Sequence, residues 1–522
     1  MNRFCRTTAA AVAMIVISAG ALAEDIRVAV RALPTSMDPH YHVTPQNRQV
    51  HAHVFETLIG QDASQQPVPA LAVAWKAIDD KTWEFNLRKN VRWHDGSPFT
   101  ADDVTFTFKR AVSVPESPSS FAAYIKGKTA TKVDDHTIRI ATESPYPLMV
   151  QDLAMFVIVS KKHGEAAATK DYNDGKATIG TGPYKFVEWV AGDRLTLVAN
   201  PDWWGGKPKW DRVVWKPISS GTTRVAALLN GDTDLIDYVP TNDIGLLRKN
   251  PKIIVSPGVS NRVMYIMIDH DRDQSPGVRS ASGEPMLSNP LRNLDVRKAM
   301  SMAIDRKAIE ERVMEGLAVP TGQIVPEGFF AYDPSLKVEP YDPEGAKKLL
   351  AKAGLANGFQ LTLAGSNDRY VNDSKVVEAI AAMWTRIGIK TDVLIMPGSV
   401  FFTRGTKRDF SAGMYGLGAF SGDPVSPMKV GLATFDTQAG FGSANRGRYS
   451  NKNFDDLLST ALVTLDDNKR RDLLIDATRV VIKDLGFIPL YHEVSIWASR
   501  QGLKYLPRTD EQTLVEEVVK QN

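Results

Sequence analysis

The chain has 522 residues, 43% hydrophobic and 24% charged, with 37 Gly, 30 Pro and a single Cys. This is too long for one hydrophobic core, so two to four domains are expected, and the composition excludes a disordered, collagen-like or disulfide-stapled chain. Lys plus Arg (63) against Asp plus Glu (60) leave a net charge of only +3, which excludes a basic nucleic-acid footprint or a polybasic membrane anchor.

Residues 1–23 read as a cleavable secretory signal. Arg3 and Arg6 supply its charged start, Ala9 to Ile17 its apolar core, and Ala21-Leu22-Ala23 a small-x-small cleavage site before Glu24. The apolar stretch is too short for a comfortable transmembrane helix. Cleavage leaves 499 residues with charges of 61 against 60 and removes Cys5, the only cysteine. The expected location is therefore the periplasm, where a chain without thiols must depend on large cores.

Asp25–Val30 alternates as a strand, and Asn47–Ile59 is predicted as a helix. Trp83, Phe85 and Leu87 alternate with polar neighbours as a half-buried strand. Thr100 and Asp103 form a capping box that starts a helix through Val104, Phe108 and Ala111. Val133–Ile140 and Arg194–Val198 again alternate as strands.

Three later units then have a strand–helix–strand look. Val213–Trp215 leads to a helix stopped by Asn230-Gly231, and Leu235-Ile236 resumes a strand. Asp295 caps Val296–Ile304, and Asp305 a further helix. Phe359–Leu363, a helix over Ser374–Ile387 and Ile389–Met396 make the third unit, while Asp342-Pro343 opens a helix that ends at Gly354. Asp271–Asn289, rich in Ser, Gly and Pro, is a long loop. The whole is an α/β protein.

Little in the sequence suggests catalysis. His40, His42, His51 and His53 cluster with Glu56, but His51 and His53 diverge by about 200° on a helix and no metal motif forms, so no metal or cofactor is expected. His42 remains a candidate to line a ligand site from a loop. Ile179 to Tyr184 is glycine-rich yet lacks the Gly-Lys-Ser/Thr of a phosphate loop, and no Gly-x-Ser-x-Gly elbow occurs. Aromatic residues lie beside polar ones in Asn367-Asp368-Arg369-Tyr370 and from Tyr415 to Asp423, the mixture that a small-molecule cleft needs.

Several segments together resemble the family 5 extracellular solute-binding proteins of bacterial ABC importers. They include Trp83 to Arg88, Val91-Arg92-Trp93-His94-Asp95-Gly96, Gly180-Thr181-Gly182-Pro183-Tyr184, Asn200-Pro201-Asp202-Trp203-Trp204 and Tyr341 to Ala346, in the family's order over nearly the whole mature chain. The resemblance implies a periplasmic-binding-protein-like (type II) two-lobed clamshell with an additional α/β domain. Lobe I is expected from 24–58, 182–270 and 494–522, the accessory domain from 59–181 and lobe II from 271–493. Crossover strands are expected near Tyr265–Asp269 and Leu490–Ile496. The implied function is capture of a peptide or peptide-like solute by a monomeric receptor, followed by delivery to a membrane permease.

The resemblance also bears on the ligand. Peptide-binding members carry an Asp three positions before an Asp-Pro pair, where it meets the peptide's ammonium. In Gly416 to Pro424 that position is Phe420, and the usual upstream Trp is Leu417. Either Asp423 or another acid takes over, or the ligand lacks a free amino terminus, as an opine, sugar conjugate or organic acid would. Arg369 and Lys375 lie where peptide receptors place a carboxylate-binding cation, and Arg404 is a further candidate. The expected site is thus His42, Asn367, Arg369, Tyr370, Arg404, Tyr415, Phe420 and Asp423. A periplasmic hydrolase, the alternative class, would need a nucleophile–base pair or a metal in the cleft.

Overall fold

The computed structural model describes residues 24–118 and 121–521, so the expected signal at 1–23 lies outside them. One hydrogen-bonded path runs through most of the strands. Asp25–Val30 sits between Arg212–Pro217 and Leu235–Ile236, parallel to both, and Arg194–Ala199 and Tyr184–Val190 extend that side antiparallel. On the other side, Phe359–Ser366 pairs in parallel with Ile389–Met396 and Ala412–Gly418. Parallel neighbours require helical crossovers. Gly221–Asn230 and Asp373–Arg386 supply two of them, the first stopped by Gly231 in the left-handed conformation.

Two long antiparallel strands, Ile253–Ile268 and Ile488–Arg500, join these halves. Their burial shows that each belongs to two cores. Ile253, Val494, Ile496 and Ala498 pack with Val225, Leu228 and Leu247. Met264, Ile266, Ile268, Ile488 and Leu490 pack instead with Val376, Ile380 and Trp384. A strand cannot fill two separate cores unless it passes between two bodies, so these strands divide the main part of the molecule into two lobes. Their register breaks between Val259 and Val263, and there Ser260, Asn261 and Arg262 stand opposite the single residue Glu493. The second expected crossover, Leu490–Ile496, contains this break, whereas the first falls a few residues beyond it. The run Val263–Ile268 is apolar at every position, so it has no alternation whose phase could reveal a bulge.

A third core surrounds a four-stranded antiparallel sheet of Ala72–Asp79, Thr82–Leu87, Thr137–Thr142 and Lys128–Asp134. The helix Ala101–Ala111 packs on it behind the expected capping box. Thr100 Oγ1 accepts from the Asp102 amide, and Asp103 Oδ2 accepts from the Thr100 amide at 3.0 Å. The box side chain has a second use, since Asp103 also accepts from the Trp93 indole. The glycines of Gly180-Thr181-Gly182 let this body close on lobe I. A Cβ at Gly180 would stand 1.7 Å from the Val54 carbonyl oxygen, and the Gly182 amide donates to that same oxygen.

Two local expectations are corrected. The predicted Asn47–Ile59 helix is Pro45–Val54, because Thr44 caps it earlier and Phe55 turns extended, freeing Ile59–Gln61 to pair with Pro67–Pro69. Val133–Ile140 is not one strand but a hairpin, turned at Asp135-His136 with the Asp134 carboxylate accepting from the His136 amide.

Candidate functional site

The register break places charge where the two lobes meet. A bulge re-aims side chains out of the sheet, and here it projects Arg262 toward the C-terminal segment. Arg262 donates through Nε and Nη2 to the two oxygens of Glu511, at 3.2 and 3.0 Å, and its Nε lies 3.5 Å from Glu493. Ser260 also donates to Glu511. Ser260, Arg262 and Glu493 lie on the two crossover strands, and Glu511 comes from the C-terminal segment.

Lobe II faces them with the loop after Phe359–Ser366. The Val371 amide donates to Glu493 at 2.8 Å, and Tyr370 and Phe420 present their rings 5.9 and 5.8 Å from the Arg262 guanidinium. Gly416 makes room for this packing: a Cβ there would lie 2.9 Å from both Arg262 and Tyr370, and its amide donates to the Tyr370 hydroxyl. Arg369 stacks on Tyr370 while remaining exposed. Further bonds span the gap, from Thr241 to Asn372 and from Arg31 to the Asp368 carbonyl. Gln65, from the accessory body, donates to the Phe420 carbonyl and accepts from Asn261. Gln65, Tyr238, Asn372 and Glu511 all have positive φ without being glycine. Such backbone strain gathers where function holds it in place.

The electrostatics are unequal. Burial, followed by the neighbouring Glu511 charge, pushes Glu493 up to about 7. Glu511 is held below its usual value despite burial, because Arg262 is bonded to it. The positive field of Arg369 reaches both acids. The floor between the lobes thus holds one ionised carboxylate, one that titrates near neutrality, and, beside them, the exposed Arg369 stacked on Tyr370.

A two-lobed body hinged on paired strands, with a charged floor between the lobes, is the geometry of a receptor that closes on its ligand. Residues 66–438 match the model for bacterial extracellular solute-binding proteins, family 5 Middle. The chain belongs to this family. It is 30% identical to heme-binding protein A of Haemophilus influenzae over 82% of this chain and 79% of that one. It is 28% identical to the dipeptide-binding protein of Escherichia coli over 80% and 79%. The solved structure of HbpA2 from Haemophilus parasuis superimposes with a TM-score of 0.80 at 24% identity, covering 95% of this chain and all of the other.

In this solute-binding protein the fold brings Arg369, Tyr370 and Phe420 together around Arg262. Asn367 is exposed on the same loop. The other expected residues stand apart. His42 bonds through Nδ1 to the Thr35 hydroxyl. Arg404 is paired with Asp409 and lies over Phe410. Tyr415 is buried and stacked on Phe401 at 4.6 Å. Asp423 is 1% exposed, accepts from Ser421 and the Val425 amide, and sits 3.5 Å from Arg470, so its charge is already answered within lobe II. Burial pushes its pKa up.

The clustered histidines are tied to backbone: His40 to the Val157 carbonyl, His51 to that of Ser36, and His53 to that of Gln49. Sequence reasoning missed Arg262, Glu493, Glu511 and Gln65. The available signal was a charge inside an apolar strand, Arg262 before Val263–Ile268 and Glu493 within Ile488–Ile496. Such a charge is costly to bury without a partner.

Proposed function

We propose that this protein captures a peptide or peptide-like solute between its lobes and delivers it, chemically unchanged, to the membrane permease of an ABC importer. It works as a periplasmic monomer. Lobe I would comprise 24–58, 182–270 and 494–522, and lobe II 271–493, with 59–181 as the accessory domain. The observation that carries the reading is the placement of Arg369, on the loop after Phe359–Ser366, near Glu493 on the crossover strand and Glu511 on the C-terminal segment. A ligand carboxylate would take charge-assisted hydrogen bonds from Arg369. Its ammonium would lie toward Glu493, in place of the acid that Phe420 cannot provide. Tyr370 and Phe420 would wall the apolar part, with Asn367 and His42 further out. The E. coli dipeptide-binding relative supports this class of cargo.

Phe420 favours a second reading, a non-peptide organic acid such as an opine or sugar conjugate, held by Arg369 alone. Native mass spectrometry of protein purified from its own source identifies retained cargo. Calorimetry with a dipeptide and its N-acetyl form then separates the readings. Loss of affinity on acetylation supports the peptide reading, and indifference supports the second. A transformed product in either titration would overturn the carrier role.

A further inference from the structure

The turn between Ile59–Gln61 and Pro67–Pro69 carries the accessory body to the junction of the lobes. Asp62 shapes it: its carboxylate accepts from the Ser64 and Gln66 amides, and its carbonyl accepts from the Gln65 amide at 3.0 Å. Gln65 closes the turn at a φ of +59°, in the left-handed region that a glycine occupies without strain. A long side chain carried there despite that cost points to a use beyond the turn.

Gln65 is 1% exposed, and both ends of its side-chain amide are engaged. The nitrogen donates to the Phe420 carbonyl at 2.7 Å. The oxygen accepts from Asn261 Nδ2 at 2.7 Å and from the Thr509 hydroxyl at 3.2 Å. One side chain of the accessory body therefore reaches lobe II, the register break and the C-terminal segment. These partners are also tied to one another. The Asn261 amide donates to the Thr509 carbonyl, the Ala419 amide to the Asn261 carbonyl, and the Thr509 amide to the Ala63 carbonyl. Gly422 permits the approach, because a Cβ there would stand 2.6 Å from the Gln65 carbonyl oxygen. The accessory body touches lobe II again through Leu148, which packs against the core that contains Met428 and Leu432.

The Phe420 ring, beside Gly418 and 5.8 Å from the Arg262 guanidinium, hangs from the backbone that Gln65 grips. A hydrogen bond is directional and fixes where that backbone lies, whereas apolar packing alone lets it slide. We propose that Gln65 is a positioning residue of the solute cleft: by holding the Phe420 carbonyl it sets where the Phe420 ring stands, so that the accessory body takes part in selecting the solute. The inference rests on the cleft proposed above.

Fluorine NMR of the full mature chain, with 4-fluorophenylalanine placed at Phe420, tests the positioning without ligand. The resonance is expected to shift or split in Gln65→Gly, which suits the turn but removes the side chain. Glu84→Gln, which breaks the Glu84–Arg139 pair elsewhere in the accessory body, should leave it in place. An unmoved resonance in Gln65→Gly, or an equal change in Glu84→Gln, would overturn the proposal. If Gln65→Gly fails to fold, Gln65→Met, which fills the same space without the bonds, decides by the same signal. Calorimetry with alanyl-leucine and its N-acetyl form then reads selection. Whichever binds should do so at least threefold more weakly in Gln65→Gly, and an unchanged affinity would overturn the selective role. Binding of neither by the unaltered protein would count against the proposed cargo, while the fluorine signal still decides the positioning.

Discussion

Arg262 and Glu511 form a two-pronged ion pair, Nε to Oε1 and Nη2 to Oε2, across 249 residues of sequence at the junction of the lobes. Arg262 is 5% exposed. Removing one partner of such a pair strands the other charge in a poor dielectric. Arg262→Met should therefore destabilise the protein by about 3–5 kcal/mol. Adding Glu511→Gln should restore part of that loss. Urea denaturation without ligand measures both, and a loss below about 1 kcal/mol in the single variant would show that solvent reaches the pair.

Arg369 and Arg404 should behave differently. Arg369 is exposed and stacked on Tyr370, beside the proposed site, whereas Arg404 is held by Asp409. Arg369→Ala is expected to weaken a carboxylate-bearing ligand by roughly 1.5–3 kcal/mol. Arg404→Ala should change affinity by less than about 0.5 kcal/mol. Calorimetry with the cargo checks the contrast, and equal effects would remove Arg369 from the site.

The proposed placement of a ligand ammonium toward Glu493 makes its binding pH-dependent. Because Glu493 titrates at about 7 in the absence of ligand, it is protonated below that pH and must lose its proton to face a cation. Affinity should therefore fall as pH drops from 8 to 6, approaching tenfold per unit below pH 7. Glu493→Gln should flatten the profile. A profile rising toward acid would place the ammonium elsewhere.

Glu56 governs stability rather than binding. Its carboxyl accepts from the indoles of Trp203 and Trp204, yet burial pushes it up from 4.5 to about 7. The folded state thus keeps a proton that the unfolded chain releases near 4.5. Its contribution is full below that pH and is lost as pH rises to about 7, on the order of 1–3 kcal/mol. Glu56→Gln should gain on the unaltered protein across this window in thermal melts. Parallel pH dependences would contradict the assignment.

Lobe closure predicts compaction. Small-angle scattering should show a smaller radius of gyration once cargo saturates the cleft. Unchanged dimensions at saturation would sink the clamshell mechanism for this chain.

The helices with strong start signals were readable because a cap is a local bond: Thr100 with Asp103, Asp342 before Pro343 and Gly231 after Asn230 act within a few residues. The Asp135-His136 turn was not, because the inward positions Ala130 and Lys132 before it and Ile138 and Ile140 after it share one parity, as they would in a continuous strand. Arg369, Tyr370 and Phe420 could be nominated from loops that mix aromatic and polar residues. Tyr415 carries the same local signature but is core, since strand parity turns it toward Phe401.

The sequence alone determined the α/β class, the family and the lack of an acid at Phe420, because these depend on residue identity, spacing and order. Tertiary structure decided which charges meet. Arg262, Glu493 and Glu511 come from three distant segments, and only the bulge opposite Glu493 brings them together. Asp423, an acid that sequence could offer to a ligand, is already beside Arg470 in the folded chain. A charge's availability depends on its partners in space, and chain order does not encode them locally.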